Sequence, residues 1–293
     1  MINKDLFFKQ LSEYNDRDNM ILMSREINPT PNIVNVHYWR VFMDQRINSN
    51  ITQNVGDDLS PIIVNWMLKQ RGIDPLKKVK KTKHLYCIGS IIQYGYVDAT
   101  IWGSGFAYNP FFEIGLFHRK GLRDLDVRCV RGPLSRNTLL ELGHECPEVY
   151  GDPAVLAPLM YNPDVEKKKD YIIIPQIERE YEFEGIGEDE NIVSMNNDYT
   201  FVVDQIKSAN KVISSSMHGL ILAESYGVPA IYYQNREDTM NYKFLDWYYS
   251  TGRKEFFSTK NLKEAITHEG NPTIDVTKLQ RNLLESFPYD LWD

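Results

Sequence analysis

Nowhere in the 293 residues is there a run approaching the roughly 20 consecutive apolar residues that a membrane-spanning helix needs. The opening stretch, Met1 to Lys9, holds no apolar core of a secretion signal. Only three cysteines occur, Cys87, Cys129 and Cys146. Their number is odd and no two share a C-x-x-C spacing, which excludes a disulfide scaffold and a zinc ribbon. They read as reduced thiols of a cytosolic protein. The six histidines form no H-E-x-x-H pair, so no zinc signature is present and no metal is expected. There is no G-x-S-x-G elbow and no phosphate-binding Walker loop, and Trp102-Gly103-Ser104-Gly105 is too short for a dinucleotide fingerprint. These absences remove the common hydrolase, kinase and dehydrogenase readings. A net charge of −7 removes nucleic acid as a partner for the molecule as a whole.

What is present is a soluble globular composition, 42% hydrophobic and 25% charged, long enough for two ordinary domains. Residues 1 to 31 are charged and weakly amphipathic, and read as an extension whose helix ends before Asn28-Pro29-Thr30-Pro31. Strands are expected at Ile33–Trp39, Leu85–Ile88, Ala99–Trp102 and Val127–Val130. Helices are expected at Ile62–Arg71, after a loop ending in Pro61, and at Leu134–Leu142, with Pro133 in the first helical position. Asp152 reads as the N-cap of a short helix. After a polar link a second series follows: strands at Tyr171–Ile174 and Ile192–Ser194, a loop over Glu178–Asn191, and helices at Tyr199–Ala209, Met240–Ser250 and Val276–Phe287. Strands alternate with helices, and Gly or Ser marks the carboxyl end of the strands. That is a parallel α/β pattern. The expectation is two Rossmann-like parallel-sheet domains facing a cleft, residues 32–165 and 166–293, with the last helix returning to the first.

The most informative stretch runs from Lys211 to Tyr232. Val212-Ile213 suits a buried strand, and Ser214, Ser215 and Ser216 can cap a helix. Gly227 suits that helix's end, and Pro229–Tyr233 reads as the next strand. A helix start exposes unpaired N–H groups and a partial positive charge, which together bind anions. The three hydroxyls and the imidazole of His218 sit at that end. The alternative is a capped helix whose histidine bonds a loop carbonyl.

Other strand-end turns carry candidate groups. Asn54-Val55-Gly56-Asp57-Asp58 offers an amide and two carboxylates: either a loop meeting a sugar hydroxyl or a helix start favoured by the dipole. Gly103, Ser104 and Gly105 let backbone approach a ligand, or simply make a tight turn. Arg131 can grip a carboxylate or phosphate by two bonds, or serve a structural ion pair. Lys243 reads as a cleft cation or as part of a solvated helix face. The basic run Lys77 to Lys83 reads as a solvated loop, with contact to an anionic membrane surface as the alternative.

Taken in order, several motifs resemble the polysaccharide pyruvyl transferase family. They are Asn54-Val55-Gly56-Asp57-Asp58, Gly89-Ser90, Trp102-Gly103-Ser104-Gly105, Val130-Arg131-Gly132-Pro133, Gly151-Asp152-Pro153, Ser214 to Leu220, and Lys243-Phe244-Leu245-Asp246. The resemblance spans roughly residues 33 to 252. It implies a GT-B-like fold, no metal or organic cofactor, and transfer of the pyruvyl unit of phosphoenolpyruvate to a lipid-linked or growing glycan as a cyclic ketal. It implies that His218 is catalytic and that Arg131 contacts the donor. Two positions depart from the common pattern. Ser216 stands where many members have arginine, and Gln176 stands where many have histidine. Lys243 or Arg236 is then expected to supply the missing positive charge.

The assignment that follows has His218 moving protons, with Asp57 or Asp58 as second partner. Arg131, Ser214, Ser215, Ser216 and Lys243 hold the donor. Asn54, Gly56, Gly103, Ser104 and Gly105 line the acceptor side. Two competing readings share the architecture: a nucleotide-sugar glycosyltransferase, and a carbohydrate- or anion-binding protein without catalysis.

Overall fold

The computed structural model describes residues 29–39, 51–95, 97–108, 119–183, 191–234 and 241–293. The expected helix before Pro29, the acidic loop over residues 184–190 and Arg236 lie outside them. Two four-stranded sheets, every pairing parallel, form the framework. The first contains β1 (Val34–His37), β2 (Lys83–Tyr86), β3 (Ala99–Trp102) and β4 (Leu125–Cys129), in that spatial order. The second contains β5 (Ile172–Ile174), β6 (Val212–Ser214), β7 (Ala230–Tyr233) and the two-residue β8 (Ser258–Thr259). The apolar runs that announce these strands are buried almost throughout, as strands covered by helices must be.

The helices are α1 (Val55–Lys69), α2 (Pro133–Glu141), α3 (Ala157–Met160), α4 (Tyr199–Ser208), α5 (Met217–Ser225), α6 (Asn241–Ser250), α7 (Leu262–Thr267) and α8 (Thr277–Ser286). Three differences from the sequence reading matter. First, α1 begins at Val55 and runs through Pro61, so Gly56, Asp57 and Asp58 are its first turn rather than the end of a loop. The proline removes one N–H from the ladder. The turn before it is held by other bonds: Asn54 N–H donates to Asp58 Oδ2 at 2.9 Å and Val55 N–H to the Met195 carbonyl at 3.0 Å. Second, the stretch after Gln176 is not a plain loop. Ile177–Phe183 makes 3-10 turns that bury Ile177 and Phe183. Third, Ile192–Ser194 reduces to a single parallel bridge, Ile173 to Ile192.

One continuous apolar cluster joins residues of both sheets' helices, including Leu59 and Ile63 of α1, Val155 and Leu156 of the 3-10 turn after Asp152, and Leu220 and Ile221 of α5. The chain then returns to the first sheet. Trp102 Nε1 donates to the Leu283 carbonyl, and Phe287 meets the Trp102 ring edge-on at 4.8 Å. Beyond α8, Arg128 forms a two-pronged pair with Asp290, and Lys83 Nζ donates to the carbonyls of Asp290 and Leu291. Among the described residues no helix is long and apolar enough to cross a membrane.

Candidate functional site

The second sheet changes direction at β5. From β5 the chain goes to Ile192 on one side, whereas from β6 it goes through α5 to β7 on the other. In open parallel sheets such a divergence leaves a crevice beyond the carboxyl ends of the two strands. The residues at these ends are Pro175-Gln176 and Ser214-Ser215-Ser216, and α5 starts there. The serines hold this point closed on itself. Ser214 Oγ donates to the Ile174 carbonyl at 2.7 Å, and Ser215 Oγ accepts from Gln176 N–H at 2.9 Å. Ser216 is the N-cap, its Oγ facing Gly219 N–H at 3.4 Å. Ser214 and Ser215 are buried, Ser216 partly so. Their hydroxyls therefore shape the turn, while the first N–H groups of α5 are the ones without intrahelical acceptors.

His218, in the first turn of α5, is 8% exposed. Two other elements close around it. One is the first turn of α1, where a β-carbon on Gly56 would fall 2.0 Å from His218 Nδ1. Only glycine lets α1 and the imidazole approach so closely. The other is the turn Gly151-Asp152-Pro153. Asp152 is fully buried, and its Oδ1 accepts from Ala154 N–H at 3.0 Å, the capping bond expected of it. Its Oδ2 lies 3.8 Å from His218 Nε2. Among the described residues, neither of those two atoms has a hydrogen-bond partner. Buried polar atoms left unsatisfied cost stability and call for an explanation. A carboxylate and an imidazole in this opposition can exchange or orient a proton after a small movement.

Asp57 completes the group. It is buried, its Oδ2 accepts from Asn54 Nδ2 at 2.7 Å, and its Oδ1 packs beside the Gly89 turn. Burial pushes its carboxyl up to about 7; His218 draws it down, Asp58 and Glu178 push it up, and Lys243 draws it down. The carboxyl is thus poised to hold or release a proton near neutrality, the property expected of a general acid. Asp58, in contrast, accepts from the backbone of Asn54 and ties down the start of α1.

The remaining sequence candidates are placed elsewhere. Gly103, Ser104 and Gly105 are buried packing elements. A β-carbon on Gly103 would fall 2.3 Å from Pro153, one on Gly105 would fall 2.6 Å from the Arg131 guanidinium, and Ser104 Oγ donates to the Gly89 carbonyl at 2.8 Å. Arg131 is wholly buried. Nε donates to Asp246 Oδ2 at 3.1 Å, Nη1 to Ser90 Oγ at 2.6 Å and Nη2 to the Phe106 carbonyl at 2.5 Å. As it stands it has no exposed surface with which to touch a ligand, and the ion-pair alternative describes its position. Lys243 is half-buried on α6, within electrostatic reach of Asp57. The sequence marks Asp152 chiefly as a cap, within the Gly151-Asp152-Pro153 motif, and puts Glu178 in a loop. The signal for Asp152 was its place in a strand-end turn, the same signal that singled out Asp57.

The sequence profile of the polysaccharide pyruvyl transferase family matches residues 54–237, more than half of the chain. No curated protein sequence is significantly similar to it. Among solved structures, a functionally uncharacterised protein from Klebsiella pneumoniae subsp. pneumoniae NTUH-K2044 aligns with a TM-score of 0.46 and 13% identity, covering 85% of this chain and 94% of that one.

Proposed function

The chain belongs to the polysaccharide pyruvyl transferase family, and from that premise we propose that it moves the pyruvyl unit of phosphoenolpyruvate onto two hydroxyls of a sugar in a cell-surface or exopolysaccharide precursor. The product is a pyruvate ketal. In this reading the two sheets are the facing halves of a GT-B-like arrangement. The acceptor is a lipid-linked or growing glycan on the cytosolic side of the membrane. Phosphoenolpyruvate is the donor, and no resident metal or organic cofactor takes part.

The observation that carries the reading is the meeting of His218 and Asp57 at Gly56, one group on each half of the molecule. The donor phosphate is placed at the start of α5, where unpaired N–H groups and the helix dipole favour an anion. Lys243 adds a cation. Asp57, protonated near neutral pH, delivers its proton to the methylene carbon of the donor, and positive charge develops at the carbon bearing phosphate. His218 takes the proton of the first sugar hydroxyl as its oxygen bonds to that carbon. The second hydroxyl then displaces phosphate, and its proton leaves with the phosphate. Asp57 has lost one proton and His218 has gained one, so exchange between them resets the site. General acid–base assistance of this kind is typically worth ~10²–10⁴ in rate.

The test is incubation with phosphoenolpyruvate and a glycan-lipid pool, read by phosphate release and by mass spectrometry. An acceptor gaining one pyruvate less water is expected, and His218→Ala abolishes it. Wild-type turnover by His218→Ala would remove the assignment. Thermal stabilisation by a nucleotide sugar and none by phosphoenolpyruvate would move it to glycosyl transfer.

A further inference from the structure

An anion site of the first half is already filled, and by a side chain of the second. The start of α2 presents the N–H groups of Leu134 and Ser135, and Arg131 lies beside them. All of them point at Asp246 of α6. Asp246 Oδ1 accepts from Leu134 N–H at 2.9 Å and from Ser135 N–H at 3.0 Å. Its Oδ2 accepts from Ser135 Oγ at 2.6 Å and from Arg131 Nε at 3.1 Å. Both partners of the ion pair are 0% exposed. The backbones are pressed together as well, since a β-carbon on Gly132 would fall 2.0 Å from the Asp246 carbonyl oxygen. A buried charge with four donors on it sets a position far more sharply than an apolar contact.

The other attachments of α6 explain what is being set. Tyr242 Oη donates to the Leu134 carbonyl at 2.7 Å, again on α2. Phe244 stacks on Tyr232 of β7 at 3.8 Å, and Trp247 Nε1 donates to Glu224 of α5 at 2.6 Å. Helix α6 therefore spans from the first half to the second. Lys243 stands three residues before Asp246 and so shares a helix face with it.

We propose that Asp246 is a positioning residue: docked on Arg131 and the start of α2, it fixes α6 so that Lys243 is held at the His218–Asp57 site. This rests on the reading of that site given above. Arg131 then acts on the donor through Asp246 and Lys243 rather than by touching it. The groups acting on Asp57 are His218 of α5, Asp58 of its own helix, Glu178 of the turns after β5, and Lys243 of α6. Of these, Lys243 is the one carried on α6 itself, so the Asp57 titration, matched against Lys243→Ala, reports on the proposed linkage.

The experiment compares wild type, Lys243→Ala, Arg131→Gln/Asp246→Asn and Gly132→Ala. The double variant removes both buried charges together, and Gly132→Ala displaces α6 with both charges retained. The Asp57 carboxyl is followed by carbon-13 NMR against pH, without substrate. Its midpoint is expected to move upward in the double variant or in Gly132→Ala, whichever folds, by the same amount as in Lys243→Ala. In turnover, KM for phosphoenolpyruvate is expected to rise roughly 10–100-fold, the loss of one charge-assisted contact, with a smaller effect on kcat. A folded variant with the wild-type Asp57 midpoint overturns the proposal, as does an unchanged midpoint in Lys243→Ala. Absence of phosphoenolpyruvate turnover by wild type would overturn the proposed function instead and leave the titration result standing.

Discussion

Asp57 makes the protein less stable than it need be, and the amount depends on pH in a calculable way. Its carboxyl is raised from 3.8 to about 7 in the folded chain, with burial the leading cause. Below the lower value both folded and unfolded chains carry the proton, and the group is neutral in its effect. Between the two values the folded chain holds more protons than the unfolded chain, so stability falls as pH rises, by about 1.4 kcal/mol per pH unit. Above about 7 the loss is complete, roughly 4 kcal/mol in all. Asp57→Asn removes the titrating group while keeping shape and a polar contact to Asn54. In urea denaturation at a series of pH values, the variant is expected to gain on wild type by about 2.5 kcal/mol between pH 5 and pH 8. A difference between the two proteins that stays flat over this range would refute the burial argument. The same variant is expected to lose turnover, which is the usual exchange of stability for a poised active-site group.

Further outcomes follow from other contacts. Gly56→Ala places a methyl 2.0 Å from the His218 ring and is expected to lower kcat at least ~10²-fold while the circular dichroism spectrum stays native. Under the proposed mechanism, kcat/KM is expected to decline above about pH 7 as Asp57 gives up its proton, and in Asp57→Asn the residual rate loses that alkaline limb. Glu224, paired by two bonds with Arg253 and bonded to Trp247, is a different kind of buried acid. Glu224→Ala is expected to cost about 3–5 kcal/mol in denaturant titration, because it strands the largely buried guanidinium. Leu283→Ala, at a fully buried position against Gly151, is expected to cost about 2–5 kcal/mol.

Strands such as β3, β5, β6 and β7 were legible because each is a short apolar run, and a parallel sheet buried on both faces leaves that mark in sequence; the two-residue β8, Ser258–Thr259, carries no such run and was missed. The start of α5 was legible for the same kind of reason, since serines before a helical run are caps. The start of α1 was not. Pro61 argued for a break, and the bonds that fix the first turn ahead of it come from Asp58 and from Met195, a residue far away in the chain. The position of Arg131 was hidden similarly. A strand-end arginine before a Pro-started helix looks like a ligand contact until its partner is known, and Asp246 is 115 residues distant. Asp152 was readable as a cap from Pro153 alone. That its second oxygen faces His218 depends on how the two halves pack, and no local pattern encodes that.

The late return of the chain to its first sheet has a consequence for synthesis. Trp102, Trp292 and Leu283 are all fully or nearly fully sequestered, and Phe287 joins them. Until residues 283–292 have emerged from the ribosome, the indole of Trp102 lacks its Leu283 acceptor and the Phe287 ring, Lys83 lacks its two carbonyls, and Arg128 keeps Asp126 but lacks Asp290. The first half, although made early, is left waiting with a sticky flank for most of translation. Chaperone dependence, and sensitivity to any pause before residue 283, should concentrate there.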